Sequence, residues 1–278
     1  MTWLAIALTG LGVGDLVRSS GRPPSRVVGH VVTPAVILVL GLLAGMRTWA
    51  DWVALLLAAA AGAAWAELSR KTQMTGRRAL APLAVFAVLV VGLLGFSGAA
   101  SHPDGPLATW LRWADLPGRA PRDAAHVLLL MGLVLFNLAT ANVIVRLVLL
   151  TIGALRPSDV TNANAAAAAA AVAAGQSPPP SSAQPADRLK GGRLLGPMER
   201  LVILGLGLAG EFGAAGLVIA AKGLLRFPEI QAAARSADPA AAGTYNGGPA
   251  GIDDVTEYFL VGSFVSWLIA LGSLALTV

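Results

Sequence analysis

Apolar residues in this chain come in long runs instead of alternating with polar ones. Seven near-continuous apolar segments are separated by polar breaks: Thr2–Val17, Val27–Met46, Ala50–Leu68, Ala79–Ala100, Ala125–Leu150, Met198–Ala221 and Val255–Val278. Runs of about 20 apolar residues match the hydrocarbon thickness of a bilayer, and a helix lets such a run satisfy its own backbone there. The pattern predicts an all-α, polytopic membrane helix bundle of seven transmembrane helices. The first segment is short, but Arg18, Arg22 and Arg26 follow it instead of preceding it, the reverse of a secretory signal. It is expected to be a retained helix.

Composition points the same way. Of 278 residues, 56% are apolar and only 13% charged, with a mean hydropathy of +0.71. A soluble domain carries about 25% charged residues, so an ordinary water-soluble protein is excluded. Cysteine is absent, which removes disulfides, thiolate metal sites and cysteine nucleophiles. His30, His102 and His126 are far apart in the chain, so no histidine metal cluster is expected. No cofactor is expected either.

The net charge of +5 does not indicate nucleic acid, because the basic residues follow membrane topology. With the N-terminus outside and seven alternating spans, thirteen Lys and Arg lie inside and seven outside (Arg47, Arg112, Arg119, Arg122, Lys222, Arg226, Arg235). The positive-inside rule then favours an N-out, C-in chain. Trp3, Trp49, Trp52, Trp110 and Trp113 all fall at the outer boundary, as an aromatic belt would. Seventeen Arg against three Lys, in an Ala- and Gly-rich chain, suggest a GC-rich bacterial genome and a bacterial cytoplasmic membrane.

Between the fifth and sixth segments the composition changes. An alanine run, 165–171, is followed by Gln176-Ser177-Pro178-Pro179-Pro180-Ser181-Ser182. Alanine favours helix, whereas the Ser/Pro stretch cannot build a core. The chain therefore divides into a five-helix module (1–155), a cytoplasmic low-complexity linker (156–196) and a two-helix hairpin module (197–278). The linker is a tether or a docking site for a partner protein. On the outer side, Pro106–Leu116 with Trp110 and Trp113 suggests a short helix lying in the interface.

Most of the candidate chemistry lies in the last two segments. Glu211 falls near the middle of the sixth, where a carboxylate is costly unless partnered or protonated. Arg200, Glu211 and Lys222 are spaced by eleven residues, which puts them on one helical face. Small residues form a second stripe, Gly205, Ala209, Gly213, Gly216 and Ala220, answered in the seventh segment by Gly262, Ser266, Ala270 and Ser273. Such faces let helices approach closely, so the two segments are expected to pack as an antiparallel hairpin. That places Glu257 at the end of Lys222 and Arg226 and predicts an outer ion pair with one of them. The fifth segment is unusually polar, and matched depth predicts a polar seam: Asn137 and Asn142 near Glu211, and Arg146 near Glu199.

The residues Gly192-Arg193-Leu194-Leu195-Gly196, Glu199-Arg200, Ala221-Lys222, Arg226-Phe227 and Glu257-Tyr258-Phe259-Leu260-Val261-Gly262 with Ser266 resemble the C-terminal part of a bacterial multi-pass membrane protein family of unknown function. The resemblance covers about 75 residues and implies a multi-pass membrane protein with no assigned reaction. A glutamine often stands in that family at the position of Glu211, which implies a hydrogen-bonding role there.

Enzyme motifs are fragmentary. Gly12-Val13-Gly14-Asp15 fits the pattern of intramembrane aspartyl proteases, but Asp51, the other candidate, lies at a different depth, and half a dyad cannot activate water. Gly10 and Gly14 fit a helix-packing face. Ser263 has no base at matching depth. No phosphate-cradling loop is present, and the glycine pattern 205–210 lies inside an apolar run with no preceding strand. Two function classes remain. The leading one is transport or ion and proton handling around Glu211; the alternative is a non-catalytic scaffold or accessory subunit binding a partner through its linker or small-residue faces, with membrane lipids as the constant partner.

Overall fold

A computed structural model describes residues 1–20, 25–114, 123–173, 192–235 and 252–277; these are helical with short connections and contain no strand. The helices are α1 (Thr2–Ser19), α2 (Ser25–Ala44), α3 (Trp49–Thr75), α4 (Leu80–Gly95), α5 (Pro106–Trp113), α6 (Ala124–Thr151), α7 (Ser158–Ala173), α8 (Gly192–Leu208), α9 (Phe212–Arg235) and α10 (Ile252–Ala275). Among the described residues three helices are long and apolar enough to cross a membrane: Trp49–Thr75, Ala124–Thr151 and Glu257–Ala275. His30–Ala44, Leu80–Gly95 and Phe212–Leu224 are apolar but shorter.

The chain forms two compact units. The first comprises Met1–Ser69, Leu80–Val143 and Gly272–Val278, the second Arg70–Ala79 and Ile144–Leu271.

In the first unit α1 is the core. It is buried almost without interruption from Thr2 to Asp15, as expected of a helix apolar on every side. Its glycines allow this. A Cβ on Gly12 would stand 2.7 Å from the backbone carbon of Leu135 in α6, and one on Gly132 of α6 would stand 2.8 Å from the Ala5 carbonyl. A Cβ on Gly14 would collide with Thr33 of α2. The glycines of the protease-like motif are thus helix-packing positions. On another side, Trp65 of α3 contacts Phe86 of α4 at 5.5 Å, and Phe86 stacks on Phe136 of α6 at 5.6 Å.

Helix α6 carries a π-helical turn at Phe136–Thr140, near its middle. Helix α5 is the short helix expected on the outer loop. It leaves Trp110 and Trp113 exposed, and the Gly105 N–H before it donates to the Ala44 carbonyl at 3.1 Å. Trp49 is 80% exposed, but Trp3 is only 4% exposed, so Trp3 is a core residue and does not belong to an aromatic belt.

In the second unit the sixth apolar segment departs from expectation. It is not one spanning helix. Helix α8 ends at Leu208 and α9 begins at Phe212. Gly210 adopts φ +81°, its N–H donates to Gly207 O at 3.0 Å, and the Glu211 N–H donates to Leu206 O at 2.8 Å. These two bonds and the left-handed glycine make a Schellman stop. The Glu211 carbonyl then accepts the Ala215 N–H at 3.1 Å and opens α9. The arms fold back on each other. Ile203 packs with Ala215, Val218 and Ile219, and both arms pack on Ala270 and Trp267 of α10. Of the expected linker, Ser158–Ala173 is an exposed helix nucleated by its alanines, and 174–191 lies outside the described residues.

Candidate functional site

Buried Glu199, Arg200 and Ser266 of the second unit gather at the base of the α8–α9 hairpin. Glu199 is 7% exposed and Arg200 1%. The Glu199 carboxylate forms an ion pair with the Lys222 ammonium through Oε2 and accepts the Trp267 indole N–H at Oε1, 2.7 Å away. Lys222 also lies 5.7 Å from the centre of the Trp267 ring. The Arg200 guanidinium donates to Ser266 Oγ at 2.9 Å. Two consecutive residues of α8 thus project their charges onto a neutral indole and a hydroxyl of α10, with Lys222 of α9 closing the pair. In an apolar setting such groups are stable only when their partners are supplied together.

This arrangement differs from several expectations. Arg146 is exposed, and the partners of Glu199 described here are Lys222 and Trp267. Glu257 is exposed while Lys222 pairs with Glu199; the Arg226 side chain lies outside the described residues. Glu211 stands at the hairpin tip and is exposed, because the Schellman stop at Gly210 removes it from any helix interior. Arg200, Glu211 and Lys222 therefore do not share a helical face, since the turn reverses the chain between them. The sixth-segment half of the small-residue stripe is also not the packing surface, although Ala270 of the seventh-segment half is. Gly205, Gly213 and Gly216 have open space where a Cβ would stand, and Ile203, Ala215 and Ala270 make the contact. Gly262 instead faces Leu149 and Val145 of α6, with a Cβ position 3.6 Å and 3.9 Å away.

In the first unit Asn137 is fully buried in the π-helical turn. Its amide donates to Leu133 O and to Ser273 Oγ, each at 2.9 Å. Asn142 donates to Leu138 O at 3.1 Å. Thr140 is fully buried, and its hydroxyl has no partner.

Asp51 is fully buried and accepts five hydrogen bonds. They come from Trp3 Nε1 (2.7 Å), the Thr48 N–H (3.1 Å) and hydroxyl (2.6 Å), and the Ser101 N–H (3.1 Å) and hydroxyl (2.7 Å). Asp15 accepts Trp65 Nε1 at 3.1 Å and pairs with Arg18. The two aspartates of the protease-like reading therefore have separate partners and share no proton.

Sequence reasoning missed the indoles. Trp267 lies well inside an apolar run instead of at its end, and Trp65 lies three residues short of the end of its own; a tryptophan buried there needs an acceptor for its N–H. That position was the available signal. Among the described residues no three His, Cys, Asp or Glu side chains gather as metal ligands. Family models, curated proteins and solved structures yield no match to this chain.

Proposed function

We propose that this chain is a multi-pass protein of a bacterial cytoplasmic membrane that moves an ion or proton past the tip of a re-entrant hairpin formed by α8 and α9. The observation that carries the reading is the break at Gly210. From Glu199 to Leu208 and from Phe212 to Lys222 each arm rises about 15 Å, half the hydrocarbon thickness. Charges at the base and an apolar body between them and the tip fit a hairpin that enters one leaflet and returns.

Two further observations support this topology. Leu149 of α6 faces Gly262 of α10, whereas Asn137 of α6 meets Ser273 of α10, so the two helices run antiparallel. In a strictly alternating seven-span chain the fifth and seventh helices would run parallel. A re-entrant sixth segment makes six crossings and a hairpin, with both chain ends outside in place of the C-in end expected from seven spans. Lys222, Arg226 and Arg235 then move inside, and sixteen of the twenty Lys and Arg lie there. The positive-inside bias becomes stronger.

A non-helical turn at membrane depth is tolerated where it lines water or is covered by protein. Broken helices that bring a turn and a helix N-terminus to the midplane form the substrate and ion sites of many transporters. Glu211 is the titratable group at that turn. The open glycine face, Gly205, Gly213 and Gly216, favours a second reading, in which a partner protein covers the hairpin and the chain is an accessory subunit.

Ion and proton flux into liposomes tests the reading. Wild-type protein is expected to carry flux, Glu211→Gln to reduce it and Glu211→Ala to abolish it. Absence of flux in the wild type, or equal flux in all three, overturns ion handling.

A further inference from the structure

A shallow surface depression of about 550 Å³, largely open to its surroundings, lies between the α2–α3 connection and α5. Its lining includes Arg47, Asp104, Thr109, Trp110 and Trp113. Arg47 and Asp104 are both exposed, and neither has a hydrogen-bond or ion-pair partner among the described residues. One cation and one anion thus line the same groove without neutralising each other. Trp110 and Trp113 are 53% and 81% exposed beside them.

Arg47 stands two residues ahead of Trp49–Thr75, a helix long and apolar enough to cross a bilayer, which places the groove at the membrane–water boundary. Exposed indoles are stable at that level, where one edge meets acyl chains and the other meets headgroups. We propose that this groove binds the headgroup of a lipid carrying one phosphate and one primary ammonium. The guanidinium fork of Arg47 takes the phosphate, for which its planar donors are suited. The ammonium sits on the Asp104 carboxylate and over the neighbouring indole faces, which attract cations. An anionic headgroup without an ammonium satisfies Arg47 and leaves Asp104 repelling the ligand. A ligand with both charges satisfies both residues.

The test uses the purified full-length chain in detergent with equimolar phosphatidylethanolamine and phosphatidylglycerol, with retained lipid counted by native mass spectrometry. Wild type is expected to prefer phosphatidylethanolamine by about tenfold, equivalent to about 1.4 kcal/mol. Asp104→Asn, which keeps the side-chain shape, is expected to erase the preference while retaining both lipids. Arg47→Ala is expected to lose both. Equal retention of the two lipids by wild type, or an unchanged preference in Asp104→Asn, overturns the proposal. A second arm adds soluble phosphoethanolamine. Displacement of bound lipid by the free zwitterion at equal concentration assigns the groove to soluble ligands and overturns the lipid; resistance to it supports the bilayer lipid.

Discussion

The Trp3 indole N–H donates to the Asp51 carboxylate at one end of α1 and α3, and at the other end the roles are exchanged, with Trp65 of α3 donating to Asp15 of α1. The two helices are thereby tied in parallel by reciprocal bonds. An indole is a donor with no acceptor and no charge, so it satisfies a buried carboxylate without introducing a second ion that would itself need desolvation. Glu199 uses the same device through Trp267, with Lys222 added, as Arg18 is added at Asp15.

Replacing either partner of the first tie should cost differently. Trp3→Phe keeps most of the packed ring and removes one bond to a charged group, for an expected loss of about 1.5–3 kcal/mol. Asp51→Ala strands donors from Trp3, Thr48 and Ser101 and should cost more, about 3–5 kcal/mol. Unfolding in mixed detergent with graded denaturant orders the two. A smaller effect for Asp51→Ala than for Trp3→Phe would contradict the reading of Asp51 as the shared acceptor.

The glycines of α1 make a prediction about rescue. Gly14→Ala collides with the Thr33 side chain, whereas Gly12→Ala meets the backbone of Leu135. Each should lose about 1–3 kcal/mol through overpacking. Adding Thr33→Ala should recover most of the Gly14→Ala loss, and the Thr33 hydroxyl has no hydrogen bond to sacrifice. No side-chain truncation should recover Gly12→Ala. A double-mutant cycle in thermal melts measures the difference, and additivity at 14 and 33 would refute the contact.

Much of this was legible in the order of residues. The apolar runs marked the helices, Gly10 and Gly14 marked a close approach, and Pro106–Leu116 marked a short helix, which runs from Pro106 to Trp113. The break in the sixth run was not read, although Gly210 followed by Glu211 is a helix stop followed by a polar cap. Four glycines within nine residues, 205–213, fit a packing stripe equally well. Hydropathy cannot separate them, because only a backbone φ distinguishes a glycine that packs from one that turns. The partners of Glu199 were missed for a related reason. Depth along a straight helix aligned it with Arg146, but the reversal at Gly210 brings Lys222 back to it.

Gly210 and Gly213, two of these four glycines, give substitutions of opposite sign. Gly210→Ala forces a Cβ into the left-handed region and should destabilise by about 1–2 kcal/mol, although the space around it is open. Gly213→Ala lies in the first turn of α9, also with open space, and should stabilise by up to about 0.5 kcal/mol, less than the full helix-interior propensity difference. Thermal stability of the two variants checks the signs. Equal destabilisation would mean that position 213 is covered, as the partner-binding reading requires.

Buried charge at the hairpin base predicts a rescue of its own. Lys222→Met leaves the Glu199 carboxylate with Trp267 as its neutral donor and only the coulombic attraction of Arg200 beside it, and should cost up to about 3 kcal/mol, the low end of the penalty for breaking a buried ion pair. Glu199→Gln added to it removes the orphan charge and keeps an acceptor for the indole. The double variant should be more stable than Lys222→Met alone, as read by resistance to unfolding in detergent. If the double variant is the less stable of the two, Glu199 is not the partner of Lys222.

The direction of α10 carries the last prediction, and the absence of native cysteine makes it clean. A single cysteine at Thr277 follows a helix whose Ser273 meets Asn137 and whose Gly262 meets Leu149. In the proposed topology, which puts Arg70, Lys71, Arg77 and Arg78 on the inner side, Thr277 should react with a membrane-impermeant maleimide applied to whole spheroplasts. A cysteine at Ser158, which follows the inner end of α6, should react only after permeabilisation. If both positions label from the same side, the sixth segment crosses the membrane. The hairpin tip then has no leaflet to stop in, and Glu211 loses the depth at which its carboxylate could handle an ion.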